Sequence, residues 1–204
     1  MIKLYGVPQS RTMRCLWMVG ETGQPYEMIP VAIEGGKIAD AALLRVNPNN
    51  KMPALVDGDV RIFESMAINI YLAEKHAPDM KAASPAEAGT IAQWTLWVAT
   101  EVEQAVMDWA THAVLRPADQ RDATIATTAK AKIDRALGIL DAALKGRDWL
   151  VGDRFTVADV NVASVCYRLL VYPDLAKFAN VKRWFDACWA RPAAQHARKL
   201  REAQ

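Results

Sequence analysis

The amino-acid sequence predicts a small α/β domain followed by an all-helical domain. Six of the ten glycines and six of the ten prolines lie in residues 1–78, whereas six of the seven tryptophans lie beyond them. Short apolar runs bounded by turn residues dominate the first part, and apolar residues three or four positions apart dominate the second. We therefore predict domains at residues 1–78 and 86–204, joined by a short linker with a proline at each end.

The first domain is predicted to run in the order β-α-β, a connection, and β-β-α. Ser10 is a good N-cap for a helix after the first strand, and Ser65 is a good N-cap for the last helix. The turn Asp57-Gly58-Asp59 is short enough to fix an antiparallel hairpin. The predicted strands cover residues 2–5, 26–33, 53–56 and 60–63, and the last helix covers residues 65–76.

The second domain is predicted to contain only helices. Thr156 and Asp159 have the spacing of a capping box, which marks the beginning of a helix. Apolar periodicity predicts helices over residues 86–115, 121–145 and 160–170, and a further helix from Asn180.

Composition and charge exclude several classes of function. The chain has 25 Lys and Arg against 23 Asp and Glu, in no block of like charge, which argues against a nucleic-acid partner. No apolar run approaches the roughly 18 residues of a membrane span, and we expect a cytoplasmic protein. The three cysteines are an odd number and far apart, as in reduced packing residues. The three histidines have no metal-ligand spacing and no Gly-rich phosphate loop occurs, so neither a metal nor a nucleotide cofactor is indicated.

Two predicted helices begin at hydroxyl residues, Ser10 and Ser65, and the second of these follows Glu64. The N-terminus of a helix attracts anions, because its free N–H groups and its dipole converge there. A ligand with both a thiolate and a carboxylate, such as glutathione, suits two such ends. The alternative is that both serines are simple helix caps.

The full chain resembles the glutathione transferase family, and within it the bacterial, phi-like and theta-like serine enzymes. Three segments of the first part carry the resemblance: Leu4-Tyr5-Gly6 with Ser10 and Arg14; residues 47–55; and Glu64-Ser65 with Ala67, Ile68, Tyr71 and Leu72. In the second part, residues 155–159 resemble the buried capping box of the family.

The resemblance implies a thioredoxin-like first domain that binds glutathione as a co-substrate. Ser10 would stabilise the thiolate, with Thr12 as the reserve candidate, whose side chain we expect to point partly away. Glu64 and Ser65 would bind the γ-glutamyl end. A cis bond before Pro53 would turn the backbone of Met52 toward the cysteinyl part of the tripeptide.

The glycyl carboxylate of glutathione has three candidate partners, namely Lys51, Lys37 and Asn50. Phi-like members carry a histidine-lysine pair in the loop after the second strand, where this sequence has Gly35-Gly36-Lys37-Ile38. The choice among the three stays open, and ordinary solvated loop polarity is the alternative.

The helical domain is expected to supply the pocket for the second substrate. Trp97, Glu101 and His112 share one face of the predicted long helix, opposite its apolar stripe, and Met13 is a candidate for the apolar wall. A solvated helix face is the alternative interpretation.

The predicted activity is conjugation of the glutathione thiolate to small, largely apolar electrophiles, a detoxification reaction. A glutathione-dependent disulfide reductase, isomerase or dehalogenase uses the same thiolate and remains an alternative. A non-catalytic interaction module with the same fold is another. The resemblance also implies a homodimer.

Overall fold

The computed structural model describes residues 1–35 and 37–203, except for the side chains of Glu34 and Lys37. The chain forms two compact units. Residues 1–81 and the C-terminal residues 190–203 make up the first unit, and residues 82–189 make up the second. The predicted domain ranges, 1–78 and 86–204, stay a prediction, and they do not anticipate that the last residues return to the first unit.

The first unit is built on a mixed four-stranded sheet. The strands of the four-stranded sheet are β1 (Ile2–Tyr5), β2 (Tyr26–Ile29), β5 (Ala54–Asp57) and β6 (Val60–Phe63). Two further short strands, β3 (Ile33–Glu34) and β4 (Lys37–Ile38), form a separate sheet. The helices of the first unit are α1 (Met13–Thr22), α2 (Ala41–Leu44), α3 (Ser65–His76) and, at the C-terminus, α9 (Pro192–Glu202). The strand order is β2-β1-β5-β6, with β1 parallel to β2 and the other neighbours antiparallel. The predicted thioredoxin-like order, β-α-β followed by β-β-α, is confirmed.

The second strand is shorter than the predicted range of residues 26–33. It ends at Ile29, because Pro30 has no N–H to donate to a strand ladder. Ile33 belongs to β3, which pairs with β4 in a separate two-stranded sheet. The connection also contains the short helix α2, capped by Asp40. The sequence pattern does not reveal β3, β4 or α2.

The second unit is all-helical, as predicted. Its helices are α4 (Pro85–Trp97), α5 (Glu103–Trp109), α6 (Ala123–Ala143), α7 (Val157–Val165) and α8 (Ala179–Trp189). The predicted helix over residues 86–115 is one helical stretch, in which π-helical turns at Val98–Val102 and Ala110–Leu115 flank α5. Every residue of α7 is buried, and the predicted capping box at its start is present.

Cys15, Cys166 and Cys188 are reduced and buried, as predicted for packing residues. None of the helices in the described residues is long and apolar enough to cross a membrane.

A cluster around Asp57 joins the end of β5 to the last turn of α3. Asp57 Oδ2 accepts hydrogen bonds from Lys75 Nζ at 2.8 Å and Tyr71 Oη at 3.0 Å, and His76 Nε2 lies 3.0 Å away. Burial opposes ionisation of Asp57, but the hydrogen bonds from Lys75, His76 and Tyr71 outweigh it and lower the pKa to about 2. The charged carboxylate therefore stabilises the fold.

We expect Asp57→Asn to lower the free energy of unfolding by about 1 to 3 kcal/mol at neutral pH, because charge-assisted hydrogen bonds are lost. The folded pKa lies below the unfolded one, so the contribution is complete above about pH 4 and disappears as the pH falls toward about 2. Urea unfolding of both proteins at several pH values measures this. Asp59→Asn, at the exposed hairpin turn, is the control. Equal effects of the two substitutions would contradict the prediction.

Candidate functional site

Ser10 lies at the kink where the chain turns into α1. Its backbone is not helical (φ −99°, ψ −167°), and its carbonyl accepts a hydrogen bond from the N–H of Met13. Its Oγ accepts a hydrogen bond from the N–H of Thr12 at 3.1 Å. Ser10 therefore caps the helical turn that leads into α1 at Met13, and its hydroxyl is partly buried.

The Ser10 hydroxyl has one proton and two lone pairs. The proton is donated to the carbonyl of Val7, 2.7 Å from Oγ. Thr12 Oγ1, at 2.8 Å, therefore acts as the donor in its contact with Ser10 Oγ. With both Thr12 groups donating to Oγ, the Ser10 O–H is polarised and becomes a stronger donor. Rotation of this O–H away from Val7 makes it available to an anion.

Thr12 is fully buried and turns toward Ser10, so the expectation that its side chain points partly away is wrong. Gly6 provides the space for it. A Cβ at Gly6, where φ is +148°, would lie 2.0 Å from Thr12 Oγ1. Sequence reasoning quoted Gly6 only as part of a motif and did not assign it this role. The Thr12 hydroxyl is therefore buried and directed at Ser10 Oγ.

Asn47 organises the loop before β5, and sequence reasoning did not single it out. It is buried, its Nδ2 donates to the carbonyl of Lys51 at 2.6 Å, and its Oδ1 accepts from the N–H of Asn49 at 3.0 Å. The peptide bond between Met52 and Pro53 is cis, as the resemblance implies. The hydrogen bonds of the described residues leave the N–H and C=O of Met52 unused.

The three candidates for the glycyl carboxylate differ in what the structure shows. Lys51 is exposed beside Met52. The side-chain Nδ2 of Asn50 donates to the carbonyl of Ile38 at 3.2 Å, so this donor is already used within the fold. Lys37 belongs to β4, and its side chain lies outside the part of the chain that the structure describes.

Glu64 occupies the N-cap position of α3, and Ser65 is the first helical residue, so the predicted cap is displaced by one position. Glu64 has φ +70° and an exposed side chain. Non-glycine residues seldom adopt this backbone conformation, which occurs more often at binding sites. Ser65 is buried, and its Oγ accepts from Arg14 Nη1 at 3.5 Å.

Cys15 lies close to the same helix end, but its environment does not favour a reactive thiolate. Its Sγ donates to the carbonyl of Ser65 at 3.5 Å. Burial raises the pKa of the Cys15 thiol well above its usual value, and the charge of Arg14 opposes this only in part. Cys15 is therefore not a candidate for a reactive thiolate.

The candidates for the second-substrate pocket are in both units. Met13 is buried in the first unit. In the second unit, Trp97 and Glu101 line a cavity of about 220 Å³ together with Lys132 and Arg135. His112 is not among the residues that line this cavity, and its Nδ1 accepts a hydrogen bond from the N–H of Asp122 at 3.1 Å.

Comparison with known proteins agrees with the fold. The family model described as glutathione S-transferase, N-terminal domain, matches residues 1–74, and the model described as glutathione S-transferase, C-terminal domain, matches residues 103–192. Glutathione S-transferase 3 from Zea mays is 32% identical, over 95% of this chain and 91% of the relative. Glutathione S-transferase GstB from Escherichia coli K12 is 30% identical, over 96% of each chain.

A solved structure of glutathione S-transferase I from maize, in complex with an atrazine glutathione conjugate, is also similar. It is 28% identical, covers 100% of this chain and 99% of its own, and has a TM-score of 0.88. The fold and the site define an enzyme with a thioredoxin-like domain and an added helical domain. The chain belongs to the glutathione S-transferase family. Its activity is conjugation of glutathione, and the comparisons do not favour the alternative activities.

Proposed function

We propose that Ser10 stabilises the thiolate of bound glutathione during conjugation. The main support is its hydroxyl, which lies at the beginning of α1 and accepts both hydrogen bonds of Thr12. Lowering a thiol pKa from about 8.5 by about two units requires about 2.7 kcal/mol. A hydrogen bond to a charged group contributes about 1.5 to 3 kcal/mol, and a helix N-terminus up to about 1 kcal/mol more. These two contributions suffice without a general base.

The γ-glutamyl end of glutathione is proposed to bind at the beginning of α3. The exposed carboxylate of Glu64 pairs with the ammonium group, and Ser65 at the N-terminus of the helix binds the carboxylate. Arg14, whose guanidinium lies 3.5 Å from Ser65 Oγ, adds positive charge to this end. The same guanidinium keeps the Ser65 hydroxyl oriented.

The middle and the glycyl end of glutathione are proposed to bind along the loop before β5. The unused N–H and C=O of Met52, next to the cis bond to Pro53, pair with the cysteinyl backbone like an added strand. Lys51 is the first choice for the glycyl carboxylate because it is exposed and charged, and Lys37 and Asn50 remain as alternatives.

The second substrate is proposed to be a small, largely apolar electrophile. The glutathione sulfur forms a carbon–sulfur bond and the thiol proton passes to solvent. With an aryl halide the halide departs with its electron pair, whereas with an epoxide or an unsaturated carbonyl the electron pair stays on the product, which takes up a proton from solvent. The atrazine glutathione conjugate in the maize structure supports this substrate class. Met13, Trp97, Glu101 and His112 stay the candidates for the pocket.

We also propose a cytoplasmic homodimer with a role in detoxification. This rests on the family to which the chain belongs.

A conjugation assay across aryl halides, epoxides and unsaturated carbonyls, run beside a disulfide substrate, tests the reaction. We expect thioether products with at least one electrophile class. Disulfide reduction without any thioether product would contradict the proposal.

We expect Ser65→Ala to raise the KM for glutathione by about 10-fold or more, because a hydrogen bond to a charged carboxylate is lost. Cysteinylglycine, which lacks the γ-glutamyl group, is the matched substrate, and its KM should not change. Steady-state kinetics with both thiols measure the difference. An equal change for the two thiols would show that Ser65 does not bind the γ-glutamyl end.

A further inference from the structure

The C-terminal helix α9 packs against α1, the helix that follows Ser10 in the first unit. Arg191 makes a two-point ion pair with Glu21 of α1, with both N···O distances at 2.7 Å. Further along, α9 packs closely on α1 at Gly20, where a Cβ would lie 3.0 Å from that of Ala193. These contacts fix the path of α9 along α1.

The last turn of α9 reaches the loop that carries Ser10. Arg201 Nη1 donates to the carbonyl oxygens of Gln9 at 2.7 Å, Ser10 at 2.9 Å and Pro8 at 3.3 Å. In the opposite direction, Gln9 Nε2 donates to the carbonyl of Ala203 at 3.0 Å. Hydrogen bonds in both directions therefore connect the loop of residues 8–10 to the C-terminal end of α9.

Three consecutive carbonyl oxygens that point to one place repel one another unless a cation lies among them. The guanidinium of Arg201 supplies that cation and stays charged at any physiological pH. In a trans peptide the N–H points opposite to the C=O. A carbonyl that points toward Arg201 therefore directs the N–H of the same peptide to the other side of the loop. In the peptide between Ser10 and Arg11, the Ser10 carbonyl points toward Arg201 and the Arg11 N–H points away from it.

We propose that Arg201 is a positioning residue for the thiolate site: it fixes the Pro8-Gln9-Ser10 backbone so that the Ser10 hydroxyl and the first N–H groups of the helix face the bound sulfur. This inference rests on the proposed role of Ser10. Arg201 does not touch the substrate in this arrangement and acts through the backbone of Ser10. Its charge, on the carbonyl side of the same peptides, also strengthens their N–H dipoles.

A misplaced donor affects the thiolate more than it affects binding of the tripeptide, whose γ-glutamyl end lies at α3. For Arg201→Met we therefore expect the pKa of the bound thiol to rise by about 0.5 to 1 unit, and kcat below that pKa to fall about 3- to 10-fold. The KM for glutathione should change less than twofold. Arg201→Lys keeps a donor and a charge and should recover part of the loss.

The test measures the pKa of the bound thiol from the ultraviolet absorbance of the thiolate, together with kcat and KM, in the full-length protein. Lys199→Met, which removes an exposed charge from the same helix, is the control and should leave all three quantities unchanged. Thermal unfolding shows whether each variant is folded. If Arg201→Met proves unfolded, Arg201→Lys decides, since an unchanged thiol pKa and kcat in that variant overturns the proposal.

A second experiment compares the effect of Arg201→Met on the thiol pKa and on kcat in the wild type with its effect in the Ser10→Ala variant. If Arg201 acts through Ser10, its effect there should shrink to less than half of its effect in the wild type. A full effect in both backgrounds overturns the inference. A Ser10→Ala variant with the wild-type thiol pKa contradicts the proposed role of Ser10 itself, so the two failures are distinguishable.

Discussion

Replacement of Ser10 by alanine is expected to raise the pKa of the bound glutathione thiol by about 1 to 2 units. At neutral pH the thiolate fraction then falls, and kcat/KM should drop by about 10- to 100-fold. The reason is local: in the proposed role the O–H of Ser10 rotates from the carbonyl of Val7 to the sulfur, and its Oγ is polarised by two donors from Thr12. Alanine removes this donor and leaves the helix dipole alone to stabilise the anion.

The pH dependence of conjugation separates this role from others. Above the raised pKa the thiol ionises without help, so the rate of Ser10→Ala should approach that of the wild type at high pH. A residue that attacks the substrate covalently gives no such recovery at high pH. Titration of the bound thiol and a full pH profile of kcat/KM measure both effects.

Two matched variants refine the assignment. Ser10→Thr keeps a hydroxyl and should retain most of the activity, whereas Thr12→Val removes only the polarising donor and should cost less than Ser10→Ala. If Thr12→Val raised the thiol pKa as much as Ser10→Ala does, the hydroxyl of Thr12 would be the direct donor. That result would contradict the assignment to Ser10.

The parts of the fold and of the site that follow from short-range rules are predictable from the sequence. The cap at Ser10 depends on a few neighbouring residues, and so does the hairpin around Gly58. The cis peptide bond before Pro53 could be predicted only from the resemblance to a family. In each case the signal lies within about one turn of chain or in a recognisable motif.

Contacts between distant segments were not predictable in this way. Arg201 lies 191 positions from Ser10, and no periodicity in the last helix indicates that it returns to the first unit. The direction of the Thr12 side chain depends on the space left by Gly6, which is a packing property. The prediction of the second strand was wrong for a different reason. It gave more weight to the β-forming residues on both sides of Pro30 than to Pro30 itself, and the strand ends just before this proline.

The largest effect on stability is expected for Asp159, which is fully buried in the second unit. Its Oδ1 accepts from the N–H of Leu150 at 3.0 Å and from Trp184 Nε1 at 2.8 Å. Its Oδ2 accepts from the N–H of Thr156 at 2.9 Å and from the hydroxyl of Thr156 at 3.3 Å. One carboxylate thus joins the beginning of α7 to the loop before it and to α8.

Asp159→Ala is expected to lower the free energy of unfolding by about 3 to 5 kcal/mol, because three buried N–H donors lose their acceptor at about 1 to 3 kcal/mol each, with partial relaxation. Asp159→Asn keeps one acceptor oxygen for Leu150 and Trp184 but turns an NH₂ group toward the Thr156 N–H, so it should cost less than alanine. Asp153→Ala, at an exposed position six residues earlier, is the control and should stay within about 0.5 kcal/mol of the wild type. Urea unfolding followed by tryptophan fluorescence reports on this region directly, since Trp184 is a partner of Asp159. A loss for Asp159→Ala no greater than that for Asp153→Ala would mean that the buried hydrogen-bond network contributes nothing net to stability.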